Sequence, residues 1–388
     1  MVPLIILPEM DEREAESQVA ELDEDVEPSQ EEEEAGQSEP PDWLTRVEKY
    51  ERSIFELHRR WKQNRLDLQA DFQRKFVWDK HKKERLVESV LAKVPLPAIY
   101  LSEEAEDLSI VIDGQQRLTT LFHYLDGKFA LGSAQLLGSG LKHKRFSELP
   151  ALMQRRFEDS PLTCFIVQRG SDPRFKFELF ERLNQGAVVL HPQEIRNAVY
   201  RGPGLEALKL FASDNPDFQR LVRKRRNLSR FRDHELVLRG VAFILLGVHQ
   251  YTGNLKRFLN RALDQLNRSS ESVIFRTVAQ LSSALQAARE SLGDSAFDNP
   301  HSARLNAPVF DAIVAGFAQA QDLQPWTQRS LRLKAALSNL WNQQDFISSV
   351  TAATDRTENV LKRFAAWQDV LRVERAEAPP LNETGSTP

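Results

Sequence analysis

The chain has 388 residues, 41% hydrophobic and 28% charged; this apolar content excludes global disorder, and a prior of about 150 residues per domain predicts two domains. One cysteine, Cys164, excludes a disulfide framework or a cysteine-rich zinc site and points to a reducing cytoplasm. The net charge of −4 is uneven: residues 9–39 carry 15 acidic side chains and the single Arg13, a local sum of −14 that leaves +10 on the remainder.

Residues 2–7 are apolar but lack a basic flank, so they do not read as a signal peptide. No apolar run approaches the roughly 20 residues of a membrane span. The first 42 residues are rich in Glu, Pro, Ser and Gln, the composition of a disordered acidic tail that either solubilises the chain or competes with polyanions for its basic remainder. From Val47 to Trp61, apolar residues recur at helical spacing and predict one amphipathic helix. A second helix is expected over residues 82–92, ended by Pro95 and Pro97, with an extended stretch at 98–101 and a β-branched strand at 109–112. Leu118, Leu121, Phe122 and Leu125 mark the next helix, and residues 162–167 a further strand. Asp172-Pro173 opens a helix that Gly186 would close, and Pro192 begins another running to about Tyr200. Beyond residue 205 the pattern is helical, with candidates at 231–248, 255–266, 272–292, 307–321, 327–342 and 357–372. The expected organisation is α+β: an acidic tail (1–42), a mixed α/β domain (43–204), a helical domain (205–375) and a frayed tail (376–388).

The most informative stretch is Ile110-Val111-Ile112-Asp113-Gly114-Gln115-Gln116-Arg117-Leu118, a strand running into a helix almost without linker. Helix N-termini present unpaired N–H groups and partial positive charge, and a glycine lets a ligand approach the backbone. Asp113 and Gln116 have capping-box spacing. A cation in a first helical turn opposes the helix dipole, so Arg117 calls for an anion nearby. That anion is either a phosphate, whose oxygens suit a guanidinium, or the carboxylate of Asp113.

Four blocks in the same order resemble the N-terminal domain of GmrSD-type restriction proteins: Phe72-Gln73-Arg74-Lys75-Phe76-Val77-Trp78; Glu88-Ser89-Val90 with Pro95-Leu96-Pro97; Asp113-Gly114-Gln115-Gln116-Arg117-Leu118-Thr119-Thr120; and Phe180-Glu181-Arg182-Leu183-Asn184-Gln185-Gly186 with Leu190, Glu194, Arg196, Asn197 and Ala198. Weaker similarity continues through residues 235–239 and 251–259. Ala187 stands where a second glycine is common in the family. The resemblance implies a ParB/sulfiredoxin-like fold that binds a nucleoside triphosphate with Mg²⁺, hydrolyses it, and acts in restriction of foreign or modified DNA. It implies a nucleotide site of Gln73, Arg74, Asp113, Gly114, Gln115, Gln116, Arg117 and Asn184. Phosphoryl transfer needs positioned charge and an oriented water; Arg117 and Arg74 would supply charge, and Asp113 would hold metal or polarise water. Glu181 and Arg182 read equally as a structural ion pair.

Many members carry an HNH nuclease with a histidine-rich signature, but the eight histidines here are scattered. The expectation is therefore a chain without that nuclease. It would act with a separately encoded nuclease, cut DNA through its own ParB-like front domain with a divalent metal, or serve only as a nucleotide-switched DNA sensor. Arg220, Arg223, Lys224, Arg225, Arg226, Arg230 and Arg232 place seven cations in thirteen residues. Such a segment either tracks DNA phosphates, with Arg223 to Arg226 at its centre, or is a solvated face. Trp61 and Trp78 read as core aromatics before base-stacking ones, Cys164 as buried, and His191 as a helix cap.

Overall fold

Strands β1 (Val47–Ser53), β2 (Leu66–Asp67), β3 (Ile99–Glu103), β4 (Ser109–Asp113) and β5 (Pro161–Val167) form one mixed sheet in the order β1-β5-β3-β4-β2. The structure is a computed structural model that describes residues 46–68, 78–104, 107–132, 141–183, 191–223, 230–320 and 328–376. β1 pairs antiparallel with β5, β5 parallel with β3, β3 antiparallel with β4, and β4 parallel with β2. Helices α1 (Ile54–Lys62), α2 (Lys80–Leu91), α3 (Gln115–Leu125) and α4 (Ala151–Glu158) complete the front of the chain.

The single helix expected over residues 47–61 is in fact a strand followed by a helix. Val47 and Tyr50 are exposed on the edge strand β1, and their spacing matched the helical period without a shared buried face. The boundary has a local cause: Ser53 takes an extended conformation and its side chain accepts from the Glu56 amide at 3.1 Å. The later front elements fall close to expectation, with α2, β3, β4, α3 and β5 each within a few residues of the predicted position.

Ile54, Leu57, Val87, Leu91, Leu101, Val111, Leu121 and Phe157 belong to a first apolar core. Trp61 and Trp78 pack against it, and Trp61 stacks on Phe122 at 5.3 Å, so both behave as core aromatics. Cys164 is sealed in the same core, where burial pushes its thiol up to about 12.

A second core is built by α5 (Pro173–Leu183), α6 (Pro192–Val199), α7 (Pro203–Asp214), α8 (Arg230–Leu246), α9 (Leu255–Arg268), α10 (Glu271–Leu292), α11 (Ala307–Gln319), α12 (Ser330–Leu340), α13 (Gln344–Thr351) and α14 (Thr357–Ala376). α5 and α6, which the sequence grouped with the front, bury Phe177, Phe180 and Ile195 in this helical core. β4 lies between the two cores: Val111 belongs to the first and Ile112 packs against the second, as strand alternation requires. The first residue after that shared strand segment is Asp113. By their contacts the described residues form one unit. The acidic tail and the stretch after Ala376 lie outside the described residues, while α14 runs through Ala376.

Candidate functional site

β4 ends at Asp113, Gly114 turns the chain with φ +102°, and α3 starts at Gln115. The left-handed φ and the packing both call for glycine, since a Cβ there would lie 2.4 Å from Ile99 Cδ1. The capping box expected from Asp113 and Gln116 is absent. Gly114 is the N-cap, with no side-chain cap and no acid in the first turn of α3. The positive end of the helix dipole therefore carries no compensating carboxylate of its own.

The Asp113 carboxylate pairs instead with Arg117, whose Nη2 donates to Asp113 Oδ2 at 2.6 Å. Arg117 Nη1 donates to the Pro97 carbonyl and, at 3.0 Å, to the Ala98 carbonyl. These carbonyls are open to a side-chain donor because residues 95–98 stand outside any helix or strand. The guanidinium thus ties the first turn of α3 to the chain entering β3. It is 12% exposed, whereas Asp113 is 43% exposed. Burial lowers the Arg117 pKa, with Asp113 opposing that fall by charge and hydrogen bond.

Tyr100 lies opposite Asp113 in the β3–β4 register and stacks on Phe165 at 5.3 Å. The Gln116 side-chain oxygen is buried without a hydrogen-bond partner. Tyr100, the Pro97 and Ala98 carbonyls and Ile99 form walls of this turn that sequence reasoning did not single out. Among them, only the proline pair carried a readable signal.

Asp113, Gly114, Gln115, Gln116 and Arg117 thus come together in one turn. Gln73, Arg74 and Asn184 lie outside the described residues, as do Lys224, Arg225, Arg226 and the Arg223 side chain. Arg220, at the start of the basic segment, pairs with Asp294 at 2.8 Å. Glu181 and Arg182 do not pair with each other: Glu181 meets Lys256 and Arg182 meets Glu178, each at 2.8 Å.

The motif residues after Pro192 form a buried network rather than an open site. Arg196 donates to Asn260 at 2.8 Å, Gln193 at 3.1 Å and Glu235 at 3.0 Å, joining α6 to α8 and α9. His191 caps α6 as expected, its Nδ1 accepting from the Gln193 amide at 3.2 Å while its own amide donates to Glu194.

The uncapped turn fits a polyphosphate through its amides, and one half-exposed carboxylate beside it suits a magnesium ion that keeps most of its ligands as phosphate and water. Among the described residues no group of three or more His, Cys, Asp or Glu gathers to hold a metal by itself. Among them, too, no helix is long and apolar enough to cross a membrane.

Residues 54–201 match the family model described as GmrSD restriction endonuclease, N-terminal domain. The match runs from the first residue of α1 to just past α6 and takes in the whole Asp113–Arg117 turn. No curated protein and no solved structure matches the chain.

Proposed function

With residues 54–201 a GmrSD restriction endonuclease N-terminal domain, we propose that this chain is an NTP-binding and NTP-hydrolysing component of a DNA restriction system, built on a ParB/sulfiredoxin-like front. The observation that supports it is the uncapped start of α3: a left-handed glycine, no acid in the first turn, and a carboxylate and a guanidinium on either side. Gly114, Gln115 and Gln116 would hold terminal phosphates through their amides. Arg117 would hold the turn to Pro97 and Ala98 and add positive charge from behind. Asp113, the more exposed partner, would orient water or contact the ion. Bound Mg²⁺ would neutralise charge on the phosphates.

The test uses Gln115→Glu. An acid at the first helical position favours the helix through its dipole, so the fold should hold, while its charge repels phosphate. Titration of the intact chain with each of the four triphosphates and Mg²⁺ should show binding that falls tenfold or more in the variant. Equal affinity in parent and variant, or no binding by the parent, would overturn the site.

A second reading follows from the Asp113–Arg117 pair. With each group engaged by the other, the domain could bind nucleotide as a switch and not turn it over. Binding without phosphate release, with and without DNA, selects that reading over the first.

A further inference from the structure

Two lysine-rich segments distant in sequence meet on the front unit. Lys80-His81-Lys82-Lys83 opens α2, and Lys142-His143-Lys144-Arg145 forms a turn after α3 in which His143 takes a left-handed φ of 62°. Leu131 and Gly132 lie between them. The Leu131 amide donates to the Lys144 carbonyl at 3.1 Å and its carbonyl accepts from the His143 amide at 2.5 Å. Gly132 is covered by the Glu84 carboxylate of α2, which sits where a Cβ would be. Arg145 Nη1 donates to the Gly127 carbonyl at 3.0 Å, bringing the end of α3 and Lys128 alongside. His123, in the last turn of α3, reports the same crowding: burial and then Lys128 and Lys83 lower its pKa, with Asp126 opposing.

The exposed cations here outnumber the carboxylates beside them. Glu84 and Glu88 are buried, while Lys80, His81, Lys82, Arg85, Lys128, Lys142, His143 and Arg145 are exposed. Side chains of Lys82, Arg85, Lys128 and Lys142 make no hydrogen bond or ion pair to any described residue. Lys80 approaches Glu84 no closer than 3.9 Å. α2 also has no acid in its first turn beyond its N-cap Asp79, so Lys80 and Lys82 stand at the positive end of a helix dipole. Concentrated, exposed cations held there against the dipole suit a partner with regularly spaced negative charge.

We propose that the face formed by the start of α2, Lys128 and the 142–145 turn binds the phosphate backbone of duplex DNA, separately from the Asp113–Arg117 turn and from the basic segment at 220–232. Choosing DNA among polyanions rests on the restriction reading; the face itself rests on the placement of charge. It reads no base sequence, because lysines on phosphates position a duplex without reporting its bases.

The test replaces Lys80, Lys82, Lys128 and Lys142 together by Gln in the full chain. These side chains are exposed, and removing two cations from the first turn of α2 relieves the dipole, so thermal stability should not fall. Binding to a labelled duplex is followed by anisotropy across salt concentrations. The expected result is an affinity loss of about tenfold or more near 0.1 M salt, and a log K against log salt slope shallower by about 0.9 for each lysine that meets a phosphate. The four Lys→Arg replacements should restore the parent slope. No duplex binding by the parent at low salt, or an unchanged slope in a folded Gln variant, overturns the proposal. Triphosphate titration in the same variant should be unaltered, so failure of the nucleotide reading and failure of this face appear as different results.

Discussion

In the helical core, Asp311 is 0% exposed and accepts from Arg239 Nε at 3.0 Å and Nη2 at 2.6 Å, with Arg363 3.8 Å away. At the end of β4, Asp113 meets one arginine and keeps 43% of its side chain in solvent. Both are arginine–aspartate contacts, yet they suit different tasks. A sealed pair has already given up its water and can exchange nothing without exposing a bare charge. A half-open pair beside an uncapped helix can give up one partner to an incoming anion at small cost, because water and ligand can both reach it.

The sharpest way to break this contrast is Asp311→Ala. It removes the buried carboxylate that takes both Arg239 hydrogen bonds and lies 3.8 Å from Arg363, so about 3–5 kcal/mol of stability should be lost, read as a large fall in Tm. A loss as small as that of Asp113→Ala would remove the distinction between sealed and half-open pairs.

Gly114→Ala comes next. The left-handed φ of +102° costs a side-chain residue about 1–2 kcal/mol, and the contact with Ile99 Cδ1 adds to it. Denaturant unfolding should show about 2 kcal/mol or more, and Ile99→Val in the same background should recover part of it by removing that methyl. No recovery would mean the turn is limited by backbone strain alone.

A smaller effect is expected from pH. His191 has its pKa lowered mainly by burial, with Glu235 opposing and Arg232 and Arg196 adding to the fall; His123 is lowered too. For a histidine depressed in the folded state, the unfolded chain binds the proton more readily. Stability is therefore present above the unfolded value near 6.5 and lost as pH falls below it. Protonating His191 Nδ1 also removes its acceptor for the Gln193 amide, a cap of about 1 kcal/mol. Between about pH 7.5 and about pH 5, His191→Asn, which keeps a capping oxygen that does not titrate, should lose less Tm than the parent. Equal slopes would assign the effect to His123.

The contrast also explains what could be read beforehand. The strand, glycine turn and helix at residues 109–125 were legible because one short stretch carries its own signals: a β-branched run, a glycine, then helical spacing. The choice between Asp113 and a phosphate as partner for Arg117 was open in sequence and became concrete only when Pro97 and Ala98 folded over the guanidinium. Contacts across about 20 residues leave no local periodicity to read. β1 carries no strand signal because an exposed edge strand buries little and so shows no alternation, and β2 is too short to show any pattern. The lysine face has no local signal either, because residues 80–83 and 142–145 are brought together only by the fold.

The smallest expected effect concerns net charge. Residues 1–40 carry −14, so removing them takes the chain from −4 to +10. Charges on a chain in solvent act over about 8 Å at physiological salt and about 30 Å at 0.01 M. If the tail lowers DNA affinity by charge alone, the truncated chain should bind duplex several-fold more tightly at low salt, and the two curves should converge as screening shortens the range. A difference that persists at high salt would point to a contact insensitive to screening. No difference at any salt would leave the tail to solubility. The four-lysine variant separates these outcomes further. If the acidic tail competes with DNA for that face, truncation should help the parent and do little for the variant, since the cations over which the two polyanions compete are then gone.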